Sequence, residues 1–278
     1  MNLCSKKEIK KIFKKHNLTP IKKMGQNFLI NKNDLNVLLR SANLKKEDVV
    51  LEIGPGLGVL TKELAKKVKK VIAVEKDRRL MPVLKENLSS FKNIEFINKD
   101  IRDIKIKNKK YKIVSNLPFY ITGVITKDFL EKENKPKLIS IIMQKEMIKR
   151  ICAEPPNMNL PAISVQFYAE PKKIKYIPKS HFYPPPKVDA GIVKIVLKNL
   201  EEHYNPIIAK KDFQNKFFKI VKAGFKHKRK KLTNNLSTEL NLDKDKIKQA
   251  FYQVKLKNKQ RAETLKIKDW INLTKKLT

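Results

Sequence analysis

Leu51-Glu52-Ile53-Gly54-Pro55-Gly56-Leu57-Gly58-Val59-Leu60-Thr61 is the stretch whose reading decides the fold. The chain holds only seven glycines in 278 residues, and three of them stand here, at 54, 56 and 58. The residues before them, VVLEI (49 to 53), are apolar and β-branched, and those after them place apolar side chains three and four apart. The segment therefore reads as a strand, a glycine turn and a helix. Such a turn lets the main chain approach a ligand closely and points amide groups at it, at the strand ends where open α/β sheets bind ligands.

Working outward, VIAVE (71 to 75), IEFIN (94 to 98), KIVSN (112 to 116) and LISIIM (138 to 143) repeat the strand signature. Residues 58 to 67, 77 to 89 and 123 to 132 carry helical spacing between them. That alternation predicts βαβ units on a parallel sheet. ISVQFYAE (163 to 170) and AGIVKIVL (190 to 197) are read as two further strands closing the sheet. The prolines of YIPKSHFYPPPKV, which follows the first of these, preclude a helix and impose an extended loop. After Asn199 the strand signal stops, and residues 211 to 276 read as short amphipathic helices. The expected organisation is a sheet domain over 1–200 and a small helical domain over 201–278.

Two acidic positions sharpen the ligand at the glycine turn. Glu75 ends the second strand, 21 positions after Gly54, where a carboxylate can accept hydrogen bonds from both hydroxyls of a ribose. The turn is GxGxG rather than GxGxxG, so the pyrophosphate grip of a dinucleotide site is not clearly provided, and an adenosine-type ligand is implied. Asp100, after the third strand, stands where a carboxylate could accept the exocyclic amine of an adenine.

Asn116-Leu117-Pro118-Phe119 closes the fourth strand. An exocyclic amino nitrogen is a poor nucleophile because its lone pair is delocalised into the purine ring. The Asn116 amide oxygen and the Leu117 main-chain carbonyl can both accept from that nitrogen, orienting it for attack. Pro118 stiffens the turn and adds no competing amide hydrogen. Phe119 offers a face on which an extruded base can stack. Methyl transfer from a sulfonium needs alignment more than acid or base help, and no His or Cys nucleophile stands in this stretch.

Bulk composition agrees with an RNA partner. Lys and Arg number 64 against 27 Asp and Glu, a net charge of +37, and such a field attracts polyanions. Only seven of the 64 are Arg and the chain is rich in Asn and Ile, so the base composition of an AT-rich genome supplies part of that excess. A membrane is argued against by the lack of a long apolar run and by the expectation of no strongly amphipathic basic helix at either end. The N-terminal MNLCSKKEIKKIFKKHN lacks the apolar centre of a secretory signal and reads as a short surface helix, placing the protein in the cytoplasm. Cys4 and Cys152 have no motif spacing, so neither a metal nor a disulfide is expected.

KKMGQNFLIN (22 to 31), EIGPGLGVLT (52 to 61), NLPFYIT (116 to 122), MQKEMIKRI (143 to 151), HFYPPPKVDAGIV (181 to 193), FKHKRKKLTNNL and RAETL, in that order, resemble the blocks of the ribosomal RNA small-subunit adenine N6-dimethyltransferase family. The likeness spans nearly the whole chain. It implies a Rossmann-like class I methyltransferase sheet of the α/β class with a small helical C-terminal domain that binds RNA. It also implies S-adenosyl-L-methionine as cofactor and two adjacent adenines near the 3′ end of small-subunit ribosomal RNA as target, each methylated twice. Carried over by position, Asn27, Leu29, Gly54, Glu75, Asp100 and Asn116 would hold the cofactor. Asn116, Leu117, Pro118 and Phe119 would form the target-base pocket, with Gln26 and Phe28 closing the cofactor site. Phe119 departs from the Tyr usual in the family, which keeps stacking but loses a phenolic hydrogen bond. By the same analogy Phe182 would be a second aromatic face of the pocket, with packing against the neighbouring prolines as the alternative. Lys226 to Lys231 would meet phosphates, unless the run is only a solvated helix face. The partner is small-subunit ribosomal RNA or a pre-assembled small subunit, met by a monomer. The alternatives are a large-subunit adenine dimethylase of the type that confers macrolide resistance, and a non-catalytic RNA-binding or transcription factor on the same fold.

Overall fold

The computed structural model describes residues 3–108, 110–118, 128–132 and 134–278. Residues 119–127, which include Phe119 and positions 123–127 of the helix expected over 123–132, lie outside the described residues.

Parallel strands covered on both faces are near-continuous apolar runs, and the central strands largely follow that rule, with Glu52, Lys112, Ser115 and Ser140 as buried exceptions. β2 (Val49–Ile53), β3 (Lys70–Val74), β5 (Lys112–Asn116) and β6 (Leu138–Gln144) are buried at nearly every position. With β4 (Ile94–Ile97), β7 (Ala169–Ile177) and β9 (Ala190–Leu197) they form a seven-stranded sheet of order β4-β3-β2-β5-β6-β9-β7. The pairs β4–β3, β3–β2, β2–β5 and β5–β6 are parallel, and β9 runs antiparallel to β6. Strand order reverses between β2 and β5, the switch point beside which such sheets open a crevice at their carboxyl ends. A separate two-stranded ribbon pairs β1 (Phe28–Leu29) with β8 (Phe182–Tyr183).

α2 (Lys32–Ser41) and α3 (Val59–Ala65) set Leu35, Leu38, Leu39, Leu60 and Leu64 against Val50, Val71, Val114 and Ile142 of the sheet. α4 (Leu80–Asn87) contributes Met81 and Leu84 to a smaller cluster that Ile94 and Phe96 cover. The N-terminal residues correct one expectation. α1 (Lys6–Lys15) is a strongly amphipathic basic helix, where none was expected at either end. Its apolar side chains Ile9, Ile12 and Phe13 are buried against Phe28, Leu57, Leu80 and Val83, so that side is consumed by the core and is not available to a membrane. Among the described residues no helix is long and apolar enough to cross a membrane.

The segment ISVQFYAE is the second correction. Residues Leu160–Gln166 form a helix, α6, and the strand begins only at Ala169. The physical cause lies just upstream: the Asn159 side chain accepts from the Ala162 amide at 3.0 Å, and Pro161 sits in the first turn, a start signal strong enough to outweigh the β-branched run. α5 (Lys145–Ile151) precedes it.

The chain divides into two compact units, residues 1–148 with 172–197 and residues 149–171 with 198–278. The division is not a single cut at residue 200, because 149–171 belongs with the C-terminal helices. Aromatic packing inside the second unit explains that. Phe167 packs on Phe217 with the rings tilted by 32° (ring centroids 4.4 Å apart) and meets Phe218 edge-on (5.4 Å), and the Tyr168 hydroxyl donates to Gln214 Oε1 at 3.1 Å. After two short turns of helix, α7 (Leu200–His203) and α8 (Pro206–Ala209), the unit is built from α9 (Lys211–Gly224), α10 (Leu232–Leu240), α11 (Lys244–Gln253) and α12 (Ile267–Leu277).

Candidate active site

Gly54, Gly56 and Gly58 all adopt the left-handed conformation, with φ of +70°, +59° and +86°, which costs a side-chain-bearing residue about 1–2 kcal/mol. At Gly56 space forbids a side chain as well: an added Cβ would lie 2.8 Å from Cε1 of Phe28. The turn is held by Glu75, whose Oε2 accepts from the Gly56 amide at 3.0 Å while Oε1 accepts from the Asp77 amide at 2.8 Å. Asn98 secures the same corner, its Nδ2 donating to the Glu75 carbonyl at 2.7 Å. Glu75 is 6% exposed. Burial raises its carboxyl above the ordinary range, against the downward pull of the amide hydrogen bonds. Each of its oxygens keeps acceptor capacity beyond the one amide it holds.

These residues wall a cleft of about 1080 Å³, counting the part open to solvent. Asn27, Leu29, Gly54, Glu75, Asp100, Asn116, Leu117 and Pro118 all line it. Gln26 and Phe28 do so too, as the sequence reading placed them. Gln26 Nε2 donates to Asp77 Oδ2 at 2.8 Å and its Oε1 accepts from the Ile21 amide at 2.8 Å, tying the N-terminal segment to the end of β3. Burial pushes the Asp77 carboxyl up, yet hydrogen bonds from Arg79 and Gln26 outweigh it and leave the group lowered.

Asn116 stands where β5 ends. Its Nδ2 donates to the main-chain carbonyl of Asn27 at 3.0 Å. A carbonyl can only accept, so this bond fixes which end of the amide carries the nitrogen and leaves Oδ1, a pure acceptor, at the other end. Below it, Ser115 donates through its hydroxyl to the Ile53 carbonyl, joining β5 to β2. The Leu117 amide donates to the Ile142 carbonyl at 3.3 Å. Pro118 approaches the glycine turn, with its Cδ 3.4 Å from where a Cβ on Gly54 would lie.

Asp100 reaches the cleft but is already engaged. Arg102 donates Nε to Oδ1 at 3.0 Å and an η nitrogen to Oδ2 at 2.7 Å, and Lys76 lies 3.0 Å from Oδ2. The Arg102 guanidinium, helped by Lys76, holds the carboxyl well below the usual range.

One residue and one basic run differ from the sequence reading. Phe182 is 2% exposed and belongs to the sheet's core beside Leu29 and Ile192, so it presents no face to an extruded base. Lys226 to Lys231 is not a helix face: it follows the end of α9 and forms an exposed turn. Asn235 pins that turn, its Nδ2 donating to the carbonyls of Gly224 at 2.6 Å and His227 at 3.0 Å.

Glu52 is the site residue that sequence reasoning passed over. It is 1% exposed, it lines the cleft, and its Oε2 has no hydrogen-bond partner among the described residues. Burial pushes its carboxyl up to about 8. A charged residue inside the otherwise apolar strand VVLEI was the signal available in the sequence.

Comparison with known proteins bears on what this cleft does. Residues 17–278 match the family of ribosomal RNA adenine dimethylases. Ribosomal RNA small subunit methyltransferase A of Dehalococcoides mccartyi is 38% identical over 268 residues, covering 95% of this chain and 90% of its own. The protein of the same name from Alkaliphilus oremlandii is 34% identical over 290 residues, covering 99% of each. Among solved structures, a dimethyladenosine transferase from Plasmodium falciparum aligns at a TM-score of 0.73 and 25% identity over 88% of this chain and 95% of its own. The 23S rRNA methyltransferase ErmE aligns at 0.75 and 22% identity over 90% and 99%, which is a likeness of fold.

Proposed function

Because the chain belongs to the ribosomal RNA adenine dimethylase family, we propose that it dimethylates N6 of two adjacent adenosines in the hairpin near the 3′ end of small-subunit (16S) ribosomal RNA, using S-adenosylmethionine, as a step in small-subunit biogenesis. The observation that carries the assignment is the Asn116 amide, oriented by its bond to the Asn27 carbonyl and set in the same cleft as the glycine turn and Glu75.

The residues present suit the cofactor. Gly54, Gly56 and Gly58 adopt the left-handed turn that brings main chain to the cleft, Glu75 has acceptor capacity for ribose hydroxyls, and Glu52 offers an unpaired carboxyl oxygen to a cationic group. S-adenosylmethionine, when bound, supplies a methyl group on a positively charged sulfur. Asn27 and Leu29 close the cleft with their backbone, and Asp100 accepts the adenine amine with the lone pairs that Arg102 and Lys76 leave over. Toward the target base, Asn116 Oδ1 and the Leu117 carbonyl accept from N6, fix its direction and favour a pyramidal nitrogen. Pro118 keeps the two acceptors convergent, and Phe119 stacks on the extruded base. The basic turn Lys226 to Lys231 adds a salt-dependent, sequence-blind share of RNA binding.

The test is mass spectrometry of ribosomal RNA after incubating the protein with isotopically labelled S-adenosylmethionine and an unmethylated small subunit. N6,N6-dimethyladenosine at two neighbouring positions of small-subunit RNA is the expected product. Label confined to large-subunit RNA, or none despite cofactor binding, would overturn the assignment.

A further inference from the structure

α1 turns its lysines outward along one face. Lys6, Lys7, Lys10, Lys11 and Lys14 are all exposed, and none forms an ion pair among the described residues. Some exposed lysines of other helices do meet acids one turn away: Lys66 with Glu63, Lys216 with Asp212 and Lys248 with Asp245. Within α1 only Lys15, at the end of the helix, meets a carboxylate, that of Glu86.

The arc also has an internal cost. Like charges at i and i+4 destabilise a helix by about 0.2–0.5 kcal/mol per pair, and cations in a first turn oppose the helix dipole. Burial of Ile9, Ile12 and Phe13 offsets this and fixes the helix to Phe28 and Leu80, two residues of the cleft wall. Lys6, Lys10 and Lys14 then form a row rising about 6 Å per step, roughly 12 Å in all. At one end of that row, the ammonium groups of Lys6 and Lys10 stand 5.7 and 5.9 Å from the centroid of the Tyr183 ring. Tyr183 pairs with Phe28 in the β1–β8 ribbon, so the row starts at the rim of the cofactor cleft.

We propose that the lysine face of α1, with Tyr183 at its cleft end, is an RNA-binding surface in its own right, gripping successive phosphodiesters of the strand that delivers the target adenine. The assignment rests on the reading of the chain as an RNA methyltransferase. Anionic phosphates relieve the repulsion among the five ammonium groups, and the apolar side of the helix is already buried, which leaves no insertion face for a lipid surface.

The experiment compares wild type, a triple Lys6→Gln, Lys10→Gln, Lys14→Gln variant, and a control triple Lys66→Gln, Lys216→Gln, Lys248→Gln that removes the same charge. Binding to a small-subunit RNA hairpin is measured by fluorescence anisotropy from 50 to 200 mM salt, alongside calorimetric binding of S-adenosylmethionine. Three lost phosphate contacts lower the slope of log affinity against log salt by about two to three. Wild-type affinity then falls roughly 40-fold more than the variant's across that range, with cofactor affinity unchanged. A slope no shallower than the control's overturns the inference while leaving the methylation reading intact. Conversely, a wild type that methylates no RNA, yet shows the α1-dependent slope, removes the enzymatic reading and keeps the surface. Circular dichroism confirms that each variant is folded, and a Lys7→Gln, Lys11→Gln pair repeats the test should the triple unfold.

Discussion

Replacing Gly56 by Ala isolates what the glycine turn contributes. Two costs add. The residue sits at φ +59°, and a side chain in the left-handed region costs about 1–2 kcal/mol. The new Cβ would also lie 2.8 Å from Cε1 and 3.4 Å from Cδ1 of Phe28, so the ring must move. It has little freedom to do so, because it is 8% exposed and Phe13 abuts it edge-on with centroids 5.4 Å apart. Overpacking of this kind costs about 1–3 kcal/mol, for a total near 2–5 kcal/mol. Gly54→Ala is the internal standard: its φ is +70°, but the nearest atom is Pro118 Cδ at 3.4 Å, an ordinary contact, so only the backbone share of about 1–2 kcal/mol applies. Urea unfolding at pH 7 gives both losses, and a Gly56→Ala, Phe28→Leu double variant should recover the steric share in a double-mutant cycle. Cofactor affinity in calorimetry should fall with Gly56→Ala, because the Gly56 amide that holds Glu75 moves with the turn. If Gly56→Ala costs no more than Gly54→Ala, the steric reasoning about Phe28 is refuted.

Asn116→Ala should reduce turnover by about two orders of magnitude or more with RNA affinity nearly unchanged, since it removes an acceptor used on the reacting nitrogen; equal losses in kcat and in RNA binding would contradict that role. Glu52, with its carboxyl near 8 in the free protein, should lose its proton when a cation binds beside it, so calorimetry below pH 8 in buffers of different ionisation enthalpy should show proton release that Glu52→Gln abolishes. The same group has a stability signature: the native state holds this proton more tightly than the unfolded chain, so stability falls as pH rises from about 4.5 towards 8, and Glu52→Gln should flatten that slope in pH-dependent thermal melts. Asn235→Ala removes the side-chain donor that the Gly224 and His227 carbonyls share and should cost about 1–3 kcal/mol, with hydrogen exchange rising at 225–231; unchanged protection there would show that the basic turn is held by something else.

The sequence by itself determined the strands that are buried on both faces. VVLEI, KIVSN and AGIVKIVL were legible to the residue because a covered strand is predominantly apolar and β-branched and is bounded by stretches that are not. The glycine turn, Glu75 and Asn116 stood out for a related reason: each interrupts a local pattern at a strand end, and the fold brings all of them to one cleft. Tertiary structure decided what depends on partners distant in the chain. ISVQFYAE carries strand residues, but an asparagine cap and the aromatic contacts of Phe167 with the C-terminal helices make part of it helical and draw it into the second unit. No spacing rule separates a Phe182 that stacks on a base from one that fills a core, since burial is settled by what folds over it. The orientation of the Asn116 amide likewise comes from a carbonyl 89 positions earlier. The lysines of α1 became a surface facing the cleft rim only when Ile9, Ile12 and Phe13 found Phe28 and Leu80. Periodicity sets which residues share a face; the rest of the fold sets what that face meets.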